Sequence, residues 1–246
     1  MNVRTVEWGG LHTHVVDALP EGTAAELAVV ICHGFGAPGS DLVPLAGELL
    51  QLAPELAAKT CFIFPEAPLS LDSMGMYGAR AWWHLDVARI TAAVAAGELR
   101  DQRGEMPDGA VASREMLLSL VAELSSSTGL PSSQIVLGGF SQGSMLATDV
   151  ALRMPEPPAA LCVLSGTLLC EEEWRTLAGE SGPIPTLQSH GHQDQILPFQ
   201  GAEWLRDMLI EVGWPVDFVA FHGGHTIPLE ALSRLAELLK QASHKE

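Results

Sequence analysis

Val136-Leu-Gly-Gly-Phe-Ser141-Gln-Gly-Ser-Met145 is the stretch on which the reading of this chain turns. An apolar run, Ile135 to Leu137, enters it, and a helix-forming run, Ser144 to Leu152, leaves it. Gly139-Phe-Ser141-Gln-Gly143 therefore sits between a strand and a helix, where G-x-S-x-G holds a serine on a sharp, strained turn. Glycines suit both flanks, because a side chain at either would collide with the neighbouring strand or helix. Gly and Ser are also ordinary turn residues. The pattern carries weight only if the chain also supplies a base, an acid and donors for an oxyanion.

Working outward, short apolar runs alternate with amphipathic ones. Ala28 to Cys32, Thr60 to Phe64, Ala160 to Leu164, the shorter Pro185 to Ser189, and Val216 to Phe221 read as strands. Leu42, Leu45, Ala46 and Leu49 form a helical stripe with Ser40 or Asp41 as N-cap. Further stripes run through Leu117 to Leu124, Leu205 to Val212 and Leu229 to Leu239. Val3 to Trp8 and Leu11 to Asp17, joined by Gly9-Gly10, read as an N-terminal β-hairpin at a sheet edge. The expected fold is α/β, one domain over residues 1–246, with a mainly parallel twisted sheet and helices on both faces. Only residues 69–112 break the pattern, and they read as a lid-like or substrate-loop insertion.

In such sheets ligands bind beyond the carboxyl ends of the strands, and every cluster of chemical interest follows a strand directly. A serine hydroxyl needs a base, and two late histidines qualify, His222 and His225. His225 is preferred, because Gly223-Gly224 frees the chain to turn its ring towards Ser141, whereas His222 reads as a strand-end residue packed on Trp214. The acid that orients the imidazole is expected from Asp194, in a turn after a strand. Glu171 to Glu173 compete for that role but also read as a solvated helix start; Asp149 should point away and Asp217 lies within a strand. Two backbone N–H groups are needed to hold an oxyanion. The residue after the nucleophile, Gln142, supplies one, and Phe35 in His33-Gly-Phe-Gly36 supplies the second. Met74, Met76, Tyr77, Trp82 and Trp83 are expected to line or cover an apolar pocket, with satellite core as the plainer reading. Arg80 reads as a solvated loop arginine or a contact for an anionic group.

With these residues in place, the chain resembles the phospholipase/carboxylesterase family that includes acyl-protein thioesterases. The resemblance runs from about Ala28 to the C-terminus and rests on HGFGAPGSDL, FPEAP, GGFSQGSMLA, HGHQDQILP and GGHTIP. It implies an α/β-hydrolase fold, no cofactor, and hydrolysis of carboxylic esters or thioesters. It also places Ser141, Asp194 and His225 in a triad, Phe35 and Gln142 in the oxyanion hole, and Trp83 of AWWHLD at the substrate. Two features depart from the family: an insertion from about Val87 to Ala112, and Phe35 where a small aliphatic residue is expected.

Bulk properties narrow the partners. A formal charge of −17 at pH 7 disfavours nucleic acid and anionic membranes, and no apolar stretch approaches the roughly 20 residues that cross a bilayer. Segment 1–20 has no signal-peptide pattern. Cys32, Cys61, Cys162 and Cys170 read as small core residues of a reducing compartment, so the expectation is a cytoplasmic enzyme acting on a small ester or acyl substrate. A homodimer stays open. Two other classes remain: a metallohydrolase using His190, His192, Asp194, His222 and His225, and a non-catalytic binding protein on the same fold.

Overall fold

A computed structural model describes residues 1–88, 92, 96, 101–104 and 106–244. Its frame is an eight-stranded sheet made from β1 (Asn2–Trp8), β2 (Leu11–Asp17), β3 (Leu27–Cys32), β4 (Thr60–Pro65), β7 (Ile135–Phe140), β8 (Ala160–Leu164), β9 (Thr186–Gly191) and β10 (Val216–Phe221). The order is β1-β2-β4-β3-β7-β8-β9-β10. From β4 to β10 all neighbours are parallel, while β1 and β2 join antiparallel at one edge. The expected hairpin is present, and both turn glycines have positive φ, 59° for Gly9 and 70° for Gly10, the geometry that twists with its strands.

The central strands are apolar throughout because both faces are covered. In β3, Ala28, Val30 and Cys32 face one core, and Leu27, Val29 and Ile31 face the other. The first core takes the buried stripes of α2 (Ala110–Thr128), α3 (Gln142–Ala151), α4 (Glu171–Ser181) and α5 (Phe199–Glu211). The second takes α1 (Leu45–Leu52) and α6 (Leu229–Ala242). All four cysteines are buried and unpaired. No helix among the described residues is long and apolar enough to cross a membrane.

Three expectations need correction. Neither Ser40 nor Asp41 caps α1, which starts at Leu45 after Pro44 and has no side-chain cap. Pro44 has no N–H to enter a helical ladder and its fixed φ suits a first turn, so residues 38–45 instead make successive i→i+3 turns. The strand expected over 185–189 is Thr186–Gly191, as long as its neighbours. The segment from 69 is not wholly irregular: β5 (Leu69–Ser70) pairs antiparallel with β6 (Arg80–Ala81) around Leu71, Ala79 and Ala81. Of the insertion expected over 87–112, residues 89–91, 93–95, 97–100 and 105 lie outside the described residues. Where the chain returns, the Arg103 guanidinium sits 3.7 Å over the Trp204 ring and its carbonyl accepts from the Glu171 N–H.

Asp149, on α3, is buried and turned away from the rim. Its Oδ1 accepts from the Trp174 indole at 2.9 Å and from Arg153 at 3.1 Å, and its Oδ2 from Arg114 at 3.2 Å. Removing this carboxylate strands an indole N–H and two guanidinium groups that keep only surface partners. Asp149→Ala should lower unfolding free energy by about 2–3 kcal/mol, measured by urea denaturation at neutral pH.

Candidate active site

The turn from β7 into α3 is tight enough to exclude side chains. A Cβ on Gly139 would lie 2.4 Å from the Gly143 carbonyl carbon, and one on Gly143 would lie 2.2 Å from the Cys32 carbonyl oxygen. Between them Ser141 adopts φ 53°, ψ −120°, a strained conformation for an L-residue that costs on the order of 1–3 kcal/mol. The surroundings hold it there: the Ser141 N–H donates to the Leu164 carbonyl at 2.8 Å, and its carbonyl accepts from the Ser144 Oγ–H at 2.7 Å. The side chain stands at the carboxyl end of β7, near the end of α3 where N–H groups are free.

The expected base and acid, His225 and Asp194, follow adjacent strands. The parallel pairing of β9 and β10 runs to Gly191 opposite Phe221, and the two following loops continue it: the His192 N–H donates to Phe221 O, and the Gln193 N–H to Gly223 O, each at 2.9 Å. The crossing is so close that a Cβ on Gly191 would lie 2.3 Å from the Gly223 oxygen. This brings His225 Nδ1 to 2.6 Å from Asp194 Oδ2. The His225 ring lies 4.8 Å from that of Phe140, the residue before Ser141. Ser165, at the end of β8 and with φ 52°, donates its hydroxyl to the Thr226 carbonyl at 3.2 Å and so braces the His225 loop.

Asp194 is fully engaged. Its Oδ1 accepts the Ile196 and Leu197 N–H groups, each at 2.9 Å. Its Oδ2 faces His225 and, at 3.2 Å, His190 Nε2. His190 Nε2 also donates to the Leu197 carbonyl at 2.8 Å; since both its partners are acceptors, the proton sits on Nε2. Burial alone would raise the Asp194 pKa. The hydrogen bonds from His190 and His225, the His225 charge and the Leu197 N–H outweigh it and hold the carboxyl well below the usual carboxylate range.

The third component is the loop after β3. Among the described residues, the backbone N–H groups of Phe35 and Gln142 make no hydrogen bond, so both donors expected for an oxyanion remain available. The loop is held from behind: Gly36 N–H donates to Arg80 O and Arg80 N–H to Ala37 O, at 2.9 and 3.0 Å. The Trp82 indole donates to the His33 carbonyl at 2.9 Å. His33 Nε2 accepts the Ala67 N–H at 3.0 Å, which leaves Nδ1 as the donor to Gly34 O at 2.8 Å. Burial lowers the His33 pKa, consistent with a neutral imidazole used as a brace. The Gln142 side chain, given no role from sequence, accepts the Trp82 N–H and donates to Trp83 O, both at 2.9 Å.

The residues expected at a pocket divide into three places. Trp82 and Trp83 are 0% and 1% exposed and belong to the main core, so they support the site from beneath rather than face a ligand in this conformation. Met76 packs with Phe35 and Leu69 around the small hairpin. Met74 and Tyr77 project into solvent, 49% and 87% exposed. The partly exposed Arg80 side chain is turned to the backbone, donating to the Ala67 and Pro68 carbonyls. Glu171 to Glu173 form the first turn of α4, where Arg103, Arg175 and Arg153 pair with them. His222 does not pack on Trp214; its ring faces His192 at 5.4 Å, while the Trp214 indole donates to Ala178 O. Among the described residues, the ligand atoms of His190, His192, Asp194, His222 and His225 do not gather around one point that an ion could occupy.

This arrangement has known counterparts. The model of the phospholipase/carboxylesterase family matches residues 16–243. The chain belongs to that family. It is 29% identical over 226 residues to acyl-protein thioesterase 1 of Kluyveromyces lactis, covering 89% of this chain and 92% of that protein. It is 31% identical over 179 residues to acyl-protein thioesterase 1 of Eremothecium gossypii, covering 73% and 71%. The crystal structure of esterase PE8 superposes with a TM-score of 0.76 at 28% identity, covering 98% of this chain and 100% of that one. The α/β-hydrolase fold and the assignment to ester-hydrolysing enzymes follow from membership of the phospholipase/carboxylesterase family.

The depressed Asp194 pKa has a definite sign in stability. An unfolded carboxyl near 3.8 takes up its proton before the folded one, so this contribution is complete above that value and is lost progressively as pH falls from it through the lower folded value. The stability difference between the wild type and Asp194→Asn, measured by urea denaturation, should therefore be largest near neutral pH and shrink below about pH 4.

Proposed function

We propose that the chain is a cytoplasmic serine esterase or thioesterase that works through an acyl-enzyme, with Ser141 as nucleophile, His225 as general base and acid, and Asp194 as the orienting carboxylate. The observation that carries this reading is the 2.6 Å contact between His225 Nδ1 and Asp194 Oδ2 beside a serine held at positive φ. With Nδ1 committed to the carboxylate, Nε2 is the basic nitrogen of the ring. Ser141 Oγ makes no hydrogen bond among the described residues, so its hydroxyl is free to rotate to that nitrogen when substrate arrives.

In the proposed reaction Ser141 Oγ attacks the acyl carbon and passes its proton to His225 Nε2. The negative oxygen of the tetrahedral intermediate takes the Phe35 and Gln142 N–H groups. His225 returns the proton to the leaving alcohol or thiol, and water, deprotonated by the same imidazole, releases the acid. Asp194 stabilises the imidazolium without moving, because all its acceptor positions are already filled. No cofactor enters any step. Phe35 and Met76 give the oxyanion loop an apolar flank, which suits the acyl part of a small ester or thioester.

A fluorophosphonate probe should label Ser141 and no other serine. Ser141→Ala should lose labelling and lower kcat by on the order of 10⁴–10⁶ on p-nitrophenyl and thioester substrates running from acetyl to palmitoyl. Near wild-type turnover by Ser141→Ala would sink the assignment, and the chain-length profile of the wild type would set the acyl preference.

A further inference from the structure

A second group of ligating side chains lies on the same rim, outside the site described above. His12 and His14 are two apart on β2 and so share a face. Glu66 follows β4 in phase with Phe62 and Phe64, which pack into the core on that face. The β2–β4 ladder extends past Thr13 opposite Pro65, with the Glu66 N–H donating to His12 O at 2.8 Å, so Glu66 stands beside the two imidazoles. Its Oε1 is 3.1 Å from His12 Nδ1 and 3.0 Å from His14 Nε2. The three ligand atoms all lie within 4.8 Å of one another, and among the described residues no other group of three or more His, Cys, Asp or Glu gathers in this way.

We propose that His12, His14 and Glu66 form an accessory site for a divalent transition metal of the zinc type. Two imidazoles and one carboxylate favour zinc and its neighbours over magnesium or calcium, which prefer all-oxygen shells. A tetrahedral ion with bonds of about 2.0–2.1 Å spaces its ligands about 3.3 Å apart. The two histidine–Glu66 distances are within a few tenths of an ångström of that, and closing the two nitrogens needs only a turn of the exposed His12 side chain. The carboxylate is preset: its stem packs where a Cβ on Gly39 would fall, and its Oε2 faces Arg80 Nε at 3.8 Å, which leaves Oε1 for the ion. The His12 side chain is 57% exposed, so an ion can enter from solvent and keep water at its open positions. Glu66 precedes Ala67, whose N–H holds His33 at the root of the oxyanion loop. A bound ion would therefore tie the N-terminal hairpin to the segment that supports the reaction centre.

The test is calorimetric titration of the full, tag-free, chelator-stripped chain with zinc chloride, with a thermal melt at each metal concentration. One saturable ion per chain and a zinc-dependent rise in Tm are expected. His12→Ala, at an exposed position that should leave the fold intact by circular dichroism, and His14→Gln should each weaken binding by at least about tenfold, since even outer-shell changes at metal sites cost 10–100-fold. Cobalt in place of zinc should give visible d–d bands that His12→Ala removes. The proposal fails if submillimolar zinc gives no saturable one-to-one binding. It also fails if His12→Ala and His14→Gln bind as tightly as the wild type, which would put the ion on other histidines.

Discussion

The structure depends on a steric constraint at one crossing, where the chain leaving β7 passes against the end of β3. Neither Gly139 nor Gly143 can carry even a methyl group without entering the Cys32 carbonyl or the opposite arm of the turn. That closeness keeps β3 and β7 parallel to their ends, so the loops after both emerge side by side. It also holds Ser141 in its strained conformation. The proposed nucleophile and the turn that carries it are thus set by one packing requirement.

A comparable constraint recurs two strands away. Gly191 is pressed against the carbonyls of Gly223 and Gly224, and the loops that carry Asp194 and His225 form a short ladder beyond the sheet. The rim is an extension of backbone pairing, which explains why flexible-looking sequences such as His222-Gly-Gly-His225 can hold a side chain in place. Hydrogen bonds of Ser165 and His190 finish the work by fixing the His225 loop and the Asp194 carboxylate.

Much of this was legible in the sequence, and the reason is physical. Strands buried on both faces are continuous apolar runs, and Ser141, Asp194 and His225, the residues proposed for the chemistry, all lie just beyond such runs, so both the strand ends and these three candidates could be picked out without coordinates. What stayed hidden depends on partners distant in the chain. His33 reads as part of a glycine-rich loop, yet its ring is a brace between Ala67 and Gly34. Arg80 reads as a solvated or ligand-facing cation, yet its guanidinium is spent on backbone carbonyls. Trp82 and Trp83 sit beside an irregular loop and look like a pocket wall, but they belong to the core, packed in one cluster with the buried faces of α2 and α3. His12 and His14 looked like ordinary members of an edge strand until Glu66 appeared beside them. The start of α1 was misread because a good capping residue was weighed above the proline three positions later.

The Gln142 side chain has a consequence for how such an enzyme can change over time. One residue carries a backbone N–H proposed for the oxyanion and, through its side-chain amide, grips the backbone at Trp82 and Trp83. The segment at Trp82 and Trp83 is therefore tied to the turn that carries Ser141. Changing Gln142 would leave a buried N–H at Trp82 and a buried carbonyl at Trp83 without partners, so the turn and that segment are constrained to change together.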